Sequence, residues 1–350
     1  MNIIKTINKE VCLAVGDGAN DVGMITEANV GVGIYGREGS EASRVSDYSI
    51  NQFYHLQKLI LFHGREAYRK NSYFVIYNFY KNIIFVSPMF FFGFINFFSG
   101  MTLYEPFLHQ LYNVFYSIFP IFYFSIFDRE YDPEFLLKNP KYYIQGMNNE
   151  CFNIFIVIKY IIFGFVEGLL LMLSSFIFFY FNNESGYNLD NLYSYGTVIF
   201  SGIIISVNLE VLLKSKIIDI FSICLIILSI FTFFLGIILF SGEEIYSFSL
   251  NKYFSYNYYI LGDYSKIIKD NKYCLYIIFI IGLVIIVDKL FIIIFDFILM
   301  IFEKINKNKN AGFYIENINN DNSSKNLSKE SKSDKEEIEM QIIDNSEGNE

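Results

Sequence analysis

Residues 11–25 read VCLAVGDGANDVGMI, an apolar run that leads directly into Gly16, Asp17, Gly18, Ala19, Asn20 and Asp21. Residues of these types at the end of a strand suit a divalent cation and a phosphoryl group. Magnesium takes oxygen ligands in near-octahedral geometry and keeps several waters. One carboxylate between glycines can therefore hold a single vertex and leave room for a phosphoryl oxygen. Asp17 fits that role. Gly16 and Gly18 permit a tight turn, and Asn20 and Asp21 are spaced to orient waters or phosphoryl oxygens. Taken alone, the same run also reads as an Asx-rich turn.

A second set of polar residues stands in apolar surroundings. Lys81 and Asn82 lie within "IYNFYKNIIF", and Asn113 lies in "LYNVFYSIFP", where Pro120 breaks the helical ladder. A charge inside a bilayer costs ~2.5–3.5 kcal/mol on insertion scales, so Lys81 asks for a reason. It reads either as a lysine that snorkels to the headgroup level or as the lining of a polar path. Glu167 is the odd carboxylate of a later apolar segment. Asp288, Lys289 and Asp296 mark where the last helix leaves the membrane. His55, His63 and His109 share no ligand spacing and read as structural.

The elements that position these residues follow from the pattern of hydropathy. Of 350 residues, 53% are hydrophobic, and they are gathered into long runs rather than spread as in a soluble domain. Residues 1 to about 57 alternate short β-type runs with turns, which is soluble α/β material. A long helix starts near Gln57. Six segments are long enough to cross a bilayer of ~30 Å, at about 73–97, 104–127, 152–181, 192–213, 217–241 and 273–302. Lys58, Arg65, Arg69 and Lys70 precede the first, Arg129, Lys138 and Lys141 follow the second, and Lys214 and Lys216 follow the fourth. By the positive-inside rule the N-terminus, the 128–151 loop and the C-terminal tail are cytosolic. Lys252, Lys266, Lys269 and Lys272 in the 242–272 loop pull mildly the other way. The sequon at 183–185 falls on the opposite side.

The formal net charge of −9 comes with no basic stripe, which excludes a nucleic-acid partner. Cys12, Cys151, Cys224 and Cys274 have no metal-ligand spacing and read as reduced or buried packing residues. The first ten residues lack the apolar core of a signal peptide. Residues 303–350 are polar and of low complexity, hence disordered.

The runs GDGANDVGMI, ANVGVGIYGREGSEASRVSDYSI, LILFHGREAYRKNSYFVIYNFYKN and DREYDPEFLLKNPKYYIQG together resemble the C-terminal part of type IV P-type ATPases, the phospholipid flippases. The resemblance covers roughly residues 9–182; from there to about 302 the count and spacing of spans match. GDGAND is shared by all P-type pumps and other haloacid-dehalogenase-like proteins, whereas FYKN is far more specific to the lipid-transporting branch. The resemblance implies a mainly α membrane protein. A six-helix transmembrane bundle, the family's helices five to ten, would follow the C-terminal piece of a haloacid-dehalogenase-like α/β phosphorylation domain. The domains would be 1–57 for that piece, 58–302 for the stalk and spans, and 303–350 for the tail.

By the same resemblance Asp17 and Asp21 bind magnesium, Asn20 and Asp21 support the phosphoryl site, and Lys81, Asn82 and Asn113 line the path of a lipid headgroup. Gly36, Glu38, Gly39, Ser46 and Asp47 would be structural. The implied cofactors are Mg2+ and ATP, the latter bound mainly by domains absent from this chain. The implied partners are phosphatidylserine or phosphatidylethanolamine and a small two-span β-subunit. The implied location is the plasma, Golgi or endosomal membrane. No DKTGT occurs, so the chain alone is expected neither to hydrolyse ATP nor to form a phosphoenzyme. Two other functions compete with that of a flippase. One is a non-catalytic flippase-like module that regulates a signalling enzyme. The other is a cation pump, which the lack of mid-depth carboxylates in the first two spans disfavours.

Overall fold

The computed structural model of the chain describes residues 5, 11–35, 40–182, 192–241, 273–295 and 297–298. The expectations placed on Gly36, Glu38, Gly39, Asp296, the 183–185 sequon, the 242–272 loop and the 303–350 tail lie outside the described residues.

Near the N-terminus, β1 (Leu13–Gly16), β2 (Val30–Ile34) and β3 (Tyr48–Ile50) form a parallel sheet in the order β1-β2-β3. Leu13 pairs with Val30, and Val32 with Tyr48. Parallel neighbours need a crossover, and the short helices α1 (Val22–Glu27) and α2 (Glu41–Val45) lie within the two crossovers. A β-carbon on Gly31 would lie 2.6 Å from Ile25 Cγ2, and one on Gly33 would lie 2.6 Å from Ser43 Cα. Glycine is required at both because α1 and α2 rest directly on the middle strand. Ala14, Ile25, Val32, Ala42 and Ile50 are buried there. The Asp47 carboxylate accepts the Gly31 N–H at 2.8 Å, which ties the start of β3 to β2.

Beyond the sheet, α3 (His55–Lys58), a π-helical turn at Leu59–Gly64 and α4 (Arg65–Ile95) form one helical run. The junction residues Leu59 and Gly64 both keep right-handed helical angles, so the run is unbroken. Among the described residues, five helices are long and apolar enough to cross a membrane. They are the run containing α4, then α9 (Ile154–Asn182), α10 (Leu192–Lys214), α11 (Ile220–Ser241) and α12 (Tyr273–Phe295).

The segment expected to be the second of six spans is divided instead. It consists of α5 (Pro106–Leu111), a π-helical turn at Tyr112–Tyr116 and α6 (Ile118–Phe127). Pro120 has no N–H to offer the carbonyl four residues back, and its ring crowds that oxygen. The helix yields at that point: Ser117 leaves helical geometry with φ −131° and ψ −7°. Two short helices, α7 (Pro133–Lys138) and α8 (Ile144–Met147), occupy the loop that follows.

Small residues set the bundle's packing, as they do where apolar surface alone drives no association. α10 is the most enclosed of the spanning helices. A β-carbon on its Gly196 would lie 1.8 Å from the Leu103 carbonyl oxygen. The most extensive packing joins α4 to α9. Gly164 and Gly168, one turn apart on α9, allow it. A β-carbon on Gly168 would meet Ser87 Oγ at 1.9 Å, and one on Gly164 would meet the Tyr80 carbonyl at 3.2 Å. Gly168→Leu is therefore expected to force α4 and α9 apart and to destabilise the bundle by about 1–3 kcal/mol. The measurement is thermal loss of the monodisperse peak in detergent. A melting profile that matches the wild type would show that this contact is not tight.

The four cysteines are free thiols, in line with the reduced reading; Cys12 and Cys151 are half-buried and Cys224 and Cys274 are exposed, so buried packing is not their role. Backbone contacts group Met1–Ile285 as one unit and Ile286–Glu350 as another. In the second, Asp288 is buried and Lys289 is exposed.

Candidate functional site

The GDGAND loop leaves the C-terminal end of β1, the edge of a parallel sheet at which ligands of α/β folds bind. Asp21 builds the turn. Its Oδ2 accepts the N–H of Asp17 at 3.1 Å and that of Gly18 at 3.5 Å, while its own N–H donates to the Gly18 carbonyl at 3.1 Å. A β-carbon on Gly16 would lie 2.3 Å from Asp21 Cβ, so this closure needs glycine at position 16. Asp17 and Asn20 are exposed at the rim. The Asx-turn reading and the ligand reading thus divide between two residues: Asp21 shapes the loop, and Asp17 is presented outward. Among the described residues no group of three or more His, Cys, Asp or Glu is placed to hold a metal. Asp17, exposed at the rim, would offer a magnesium ion one oxygen, with waters or other groups needed for the rest of the shell.

In the bundle, Lys81 faces inward and is only 7% exposed. Its Nζ lies 3.5 Å from Ser117 Oγ at the break before α6, and its carbonyl accepts the Tyr112 hydroxyl at 2.8 Å. Three carbonyls at that break, those of Tyr112, Tyr116 and Ser117, are taken by side chains. Ser117 Oγ donates to the Tyr112 carbonyl at 2.9 Å, and the Tyr77 hydroxyl donates to the Ser117 carbonyl at 3.1 Å. Asn208 Nδ2 and Ser229 Oγ both donate to the Tyr116 carbonyl.

Asn82 and Asn113 are elsewhere. One residue along a helix is a rotation of about 100°, which turns Asn82 outward beside an inward Lys81. Both asparagines are exposed, and neither is hydrogen-bonded to Lys81 among the described residues. The structure therefore joins Lys81 to Ser117 and not to the two asparagines grouped with it from the sequence. Glu167 is fully buried on α9, and its Oε2 accepts the Tyr80 hydroxyl at 2.6 Å. Glu210 is buried on α10 and pairs with Lys214 at 3.6 Å.

A third constellation, which the sequence reading did not single out, lies at the foot of α4. Arg65 Nη1 donates to Glu66 at 2.9 Å, and its Nη2 reaches Glu130 at 2.5 Å and Gln145 at 2.9 Å. Arg69 Nη2 reaches Glu66 and Asp128, each at 2.8 Å. The other Asp128 oxygen accepts the backbone N–H groups of Lys216 at 2.8 Å and Ile217 at 3.0 Å. Asp128, itself 2% exposed, so joins α4, the end of α6 and the loop between α10 and α11. The signal was the DRE run at 128–130, an acid-base-acid triplet directly after an apolar segment. The positive-inside argument counted only its arginine.

Comparison with known proteins covers the stretch that contains the bundle. The family model for the C-terminal region of phospholipid-translocating P-type ATPases matches residues 43–302. Phospholipid-transporting ATPase C887.12 of Schizosaccharomyces pombe is 41% identical over 211 residues, 59% of this chain and 16% of that protein. Phospholipid-transporting ATPase ID of Mus musculus is 36% identical over 214 residues, 60% of this chain and 18% of that protein. Phospholipid-transporting ATPase DRS2 of Saccharomyces cerevisiae is 33% identical over 210 residues, 59% of this chain and 15% of that protein. The chain spans less than a fifth of the length of each of these relatives. A family match over most of the chain, on a multi-pass helical bundle, has one meaning: the chain belongs to the phospholipid-translocating P-type ATPases, of which it carries C-terminal sequence.

Proposed function

We propose that this chain is the transport half of an ATP-driven flippase. Its cargo would be phosphatidylserine or phosphatidylethanolamine, moved from the exoplasmic to the cytosolic leaflet. Residues 1–57 are then the end of a haloacid-dehalogenase-like phosphorylation domain, 58–302 the stalk and six crossings, and 303–350 a cytosolic tail. The divided helix between about 104 and 127 counts as the second crossing. Both termini face the cytosol, and a small two-span β-subunit accompanies the pump to the plasma, Golgi or endosomal membrane. ATP would be bound mainly by domains outside this chain. Asp17 would hold magnesium, with Asp21 fixing the loop beneath it and Asn20 supporting the phosphoryl group. Magnesium, when bound there, offsets the negative charge of the phosphoryl oxygens.

The observation that carries the reading is Lys81, an ammonium buried inside the bundle at the break of a neighbouring span. Such a charge is costly unless it serves a purpose, and attraction of an anionic lipid headgroup is one. Asn82 and Asn113, exposed on outward faces, offer the directional hydrogen bonds that tell one headgroup from another. Lys81→Ala in the intact pump is expected to raise the lipid concentration needed for dephosphorylation. Loss of a charged hydrogen bond is worth ~1.5–3 kcal/mol, or about one to two orders of magnitude in apparent affinity. The assay is lipid-stimulated dephosphorylation in detergent, titrated with phosphatidylserine and phosphatidylethanolamine. Curves that overlay the wild type would end the lipid-binding reading of Lys81.

A further inference from the structure

The carbonyl that Pro120 strips of its helical partner is that of Tyr116, and two side chains from helices distant in sequence converge on it. Asn208 Nδ2 of α10 lies 3.0 Å away and Ser229 Oγ of α11 lies 2.5 Å away. Both residues are fully buried. Asn208 Nδ2 also donates to the Ile204 carbonyl at 2.7 Å. Two carbonyl oxygens at one end of the amide require that end to be the NH2 group, which settles its orientation. The next residue after Tyr116 is Ser117, whose Oγ stands 3.5 Å from the Lys81 ammonium. Any shift of the Tyr116 peptide therefore moves the polar group that faces Lys81.

We infer that Asn208, with Ser229 beside it, is a positioning residue for Lys81. It pins the break in the second span and thereby fixes where the ammonium is offered to an anionic headgroup. The inference rests on the lipid-binding reading of Lys81. An interhelical hydrogen bond that merely holds helices together would affect stability and leave lipid dependence unchanged.

The test uses the intact pump and the same lipid-stimulated dephosphorylation, with phosphoenzyme formed from ATP as the sign of a folded protein. Asn208→Leu is expected to raise the half-activating concentration of phosphatidylserine or phosphatidylethanolamine about three- to tenfold. Ser229→Ala is expected to raise it about two- to threefold, and Ser229→Thr, which keeps the hydroxyl, to restore the wild-type curve. In a Lys81→Ala background Asn208→Leu should add no further shift, because both act on one interaction. If Lys81→Ala shifts the curve while Asn208→Leu and Ser229→Ala overlay the wild type, the inference is overturned and the reading of Lys81 stands. A shift from Asn208→Leu that is equally large without Lys81 overturns it too. If Lys81→Ala itself has no effect, the lipid-binding reading falls and this inference falls with it. Should Asn208→Leu form no phosphoenzyme, the Ser229 pair decides on the same criteria.

Discussion

Asp17→Asn in the intact pump is expected to abolish phosphoenzyme formation. The change replaces a carboxylate with a neutral amide of the same shape at the exposed rim of β1. Asp21, which makes the turn through its contacts to the amides of Asp17 and Gly18, is untouched, so the loop keeps its form. What would be lost is the charged oxygen proposed to bind magnesium. Loss of an outer-shell partner typically costs 10–100-fold in metal affinity or activity, and a direct ligand weighs more. The expected loss is therefore at least about a hundredfold. Acid-stable label transferred from ATP, measured across a magnesium titration, reports it. Normal labelling at low magnesium in the variant would exclude Asp17 as a ligand. The complementary change Asp21→Asn separates shape from charge: it keeps one acceptor oxygen for the two amides and should lower labelling less.

The second large effect is expected at the foot of the stalk. Asp128→Ala removes at one stroke the partner of Arg69 and the acceptor for two backbone N–H groups. Removing one member of a buried ion pair leaves the other charge uncompensated, at a cost of about 3–5 kcal/mol. Arg69 retains Glu66, which places the expected cost of the pair nearer the lower end, but the amides of Lys216 and Ile217 are then orphaned as well. Together these losses rival the whole stability of many domains, roughly 5–15 kcal/mol. The variant should therefore fail to yield a monodisperse detergent-purified protein, while Arg129→Ala, its neighbour in sequence, should purify normally. Equal yields of Asp128→Ala and wild type, with equal melting temperatures, would refute the assignment.

The legible parts of this molecule were those written in periodicity. Among the described residues five helices lie where hydropathy placed them, and the long helical run begins close to Gln57. Lys81 was picked out by its cost in an apolar run, and it is buried in the bundle. What could not be read was the direction of each side chain, because hydropathy places a residue along a span and says little about which face it occupies when both faces are apolar. Asn82 and Asn113 were grouped with Lys81 on that account, and both are exposed. The break before α6 was visible in Pro120, yet its site lies a turn earlier, since the proline acts on the carbonyl of Tyr116. Asn208 and Ser229 carried no local signal at all. Their partner is 92 and 113 residues away, and only the packed bundle brings them to it.

That separation has a consequence for how the protein is made. At roughly 5–20 residues per second, Asn208 of α10 and Ser229 of α11 follow Tyr116 out of the ribosome by about 5 to 20 s. During that interval the Tyr116 carbonyl has neither its helical N–H nor the two side chains that later reach it. An unsatisfied carbonyl in hydrocarbon costs several kcal/mol, so the segment is poorly suited to lateral release into lipid by itself. It is held instead beside water or protein until its partners arrive. The divided segment is thus made well before α10 and α11 but completed only with them, which makes its settling into the bundle a cooperative event rather than an independent one.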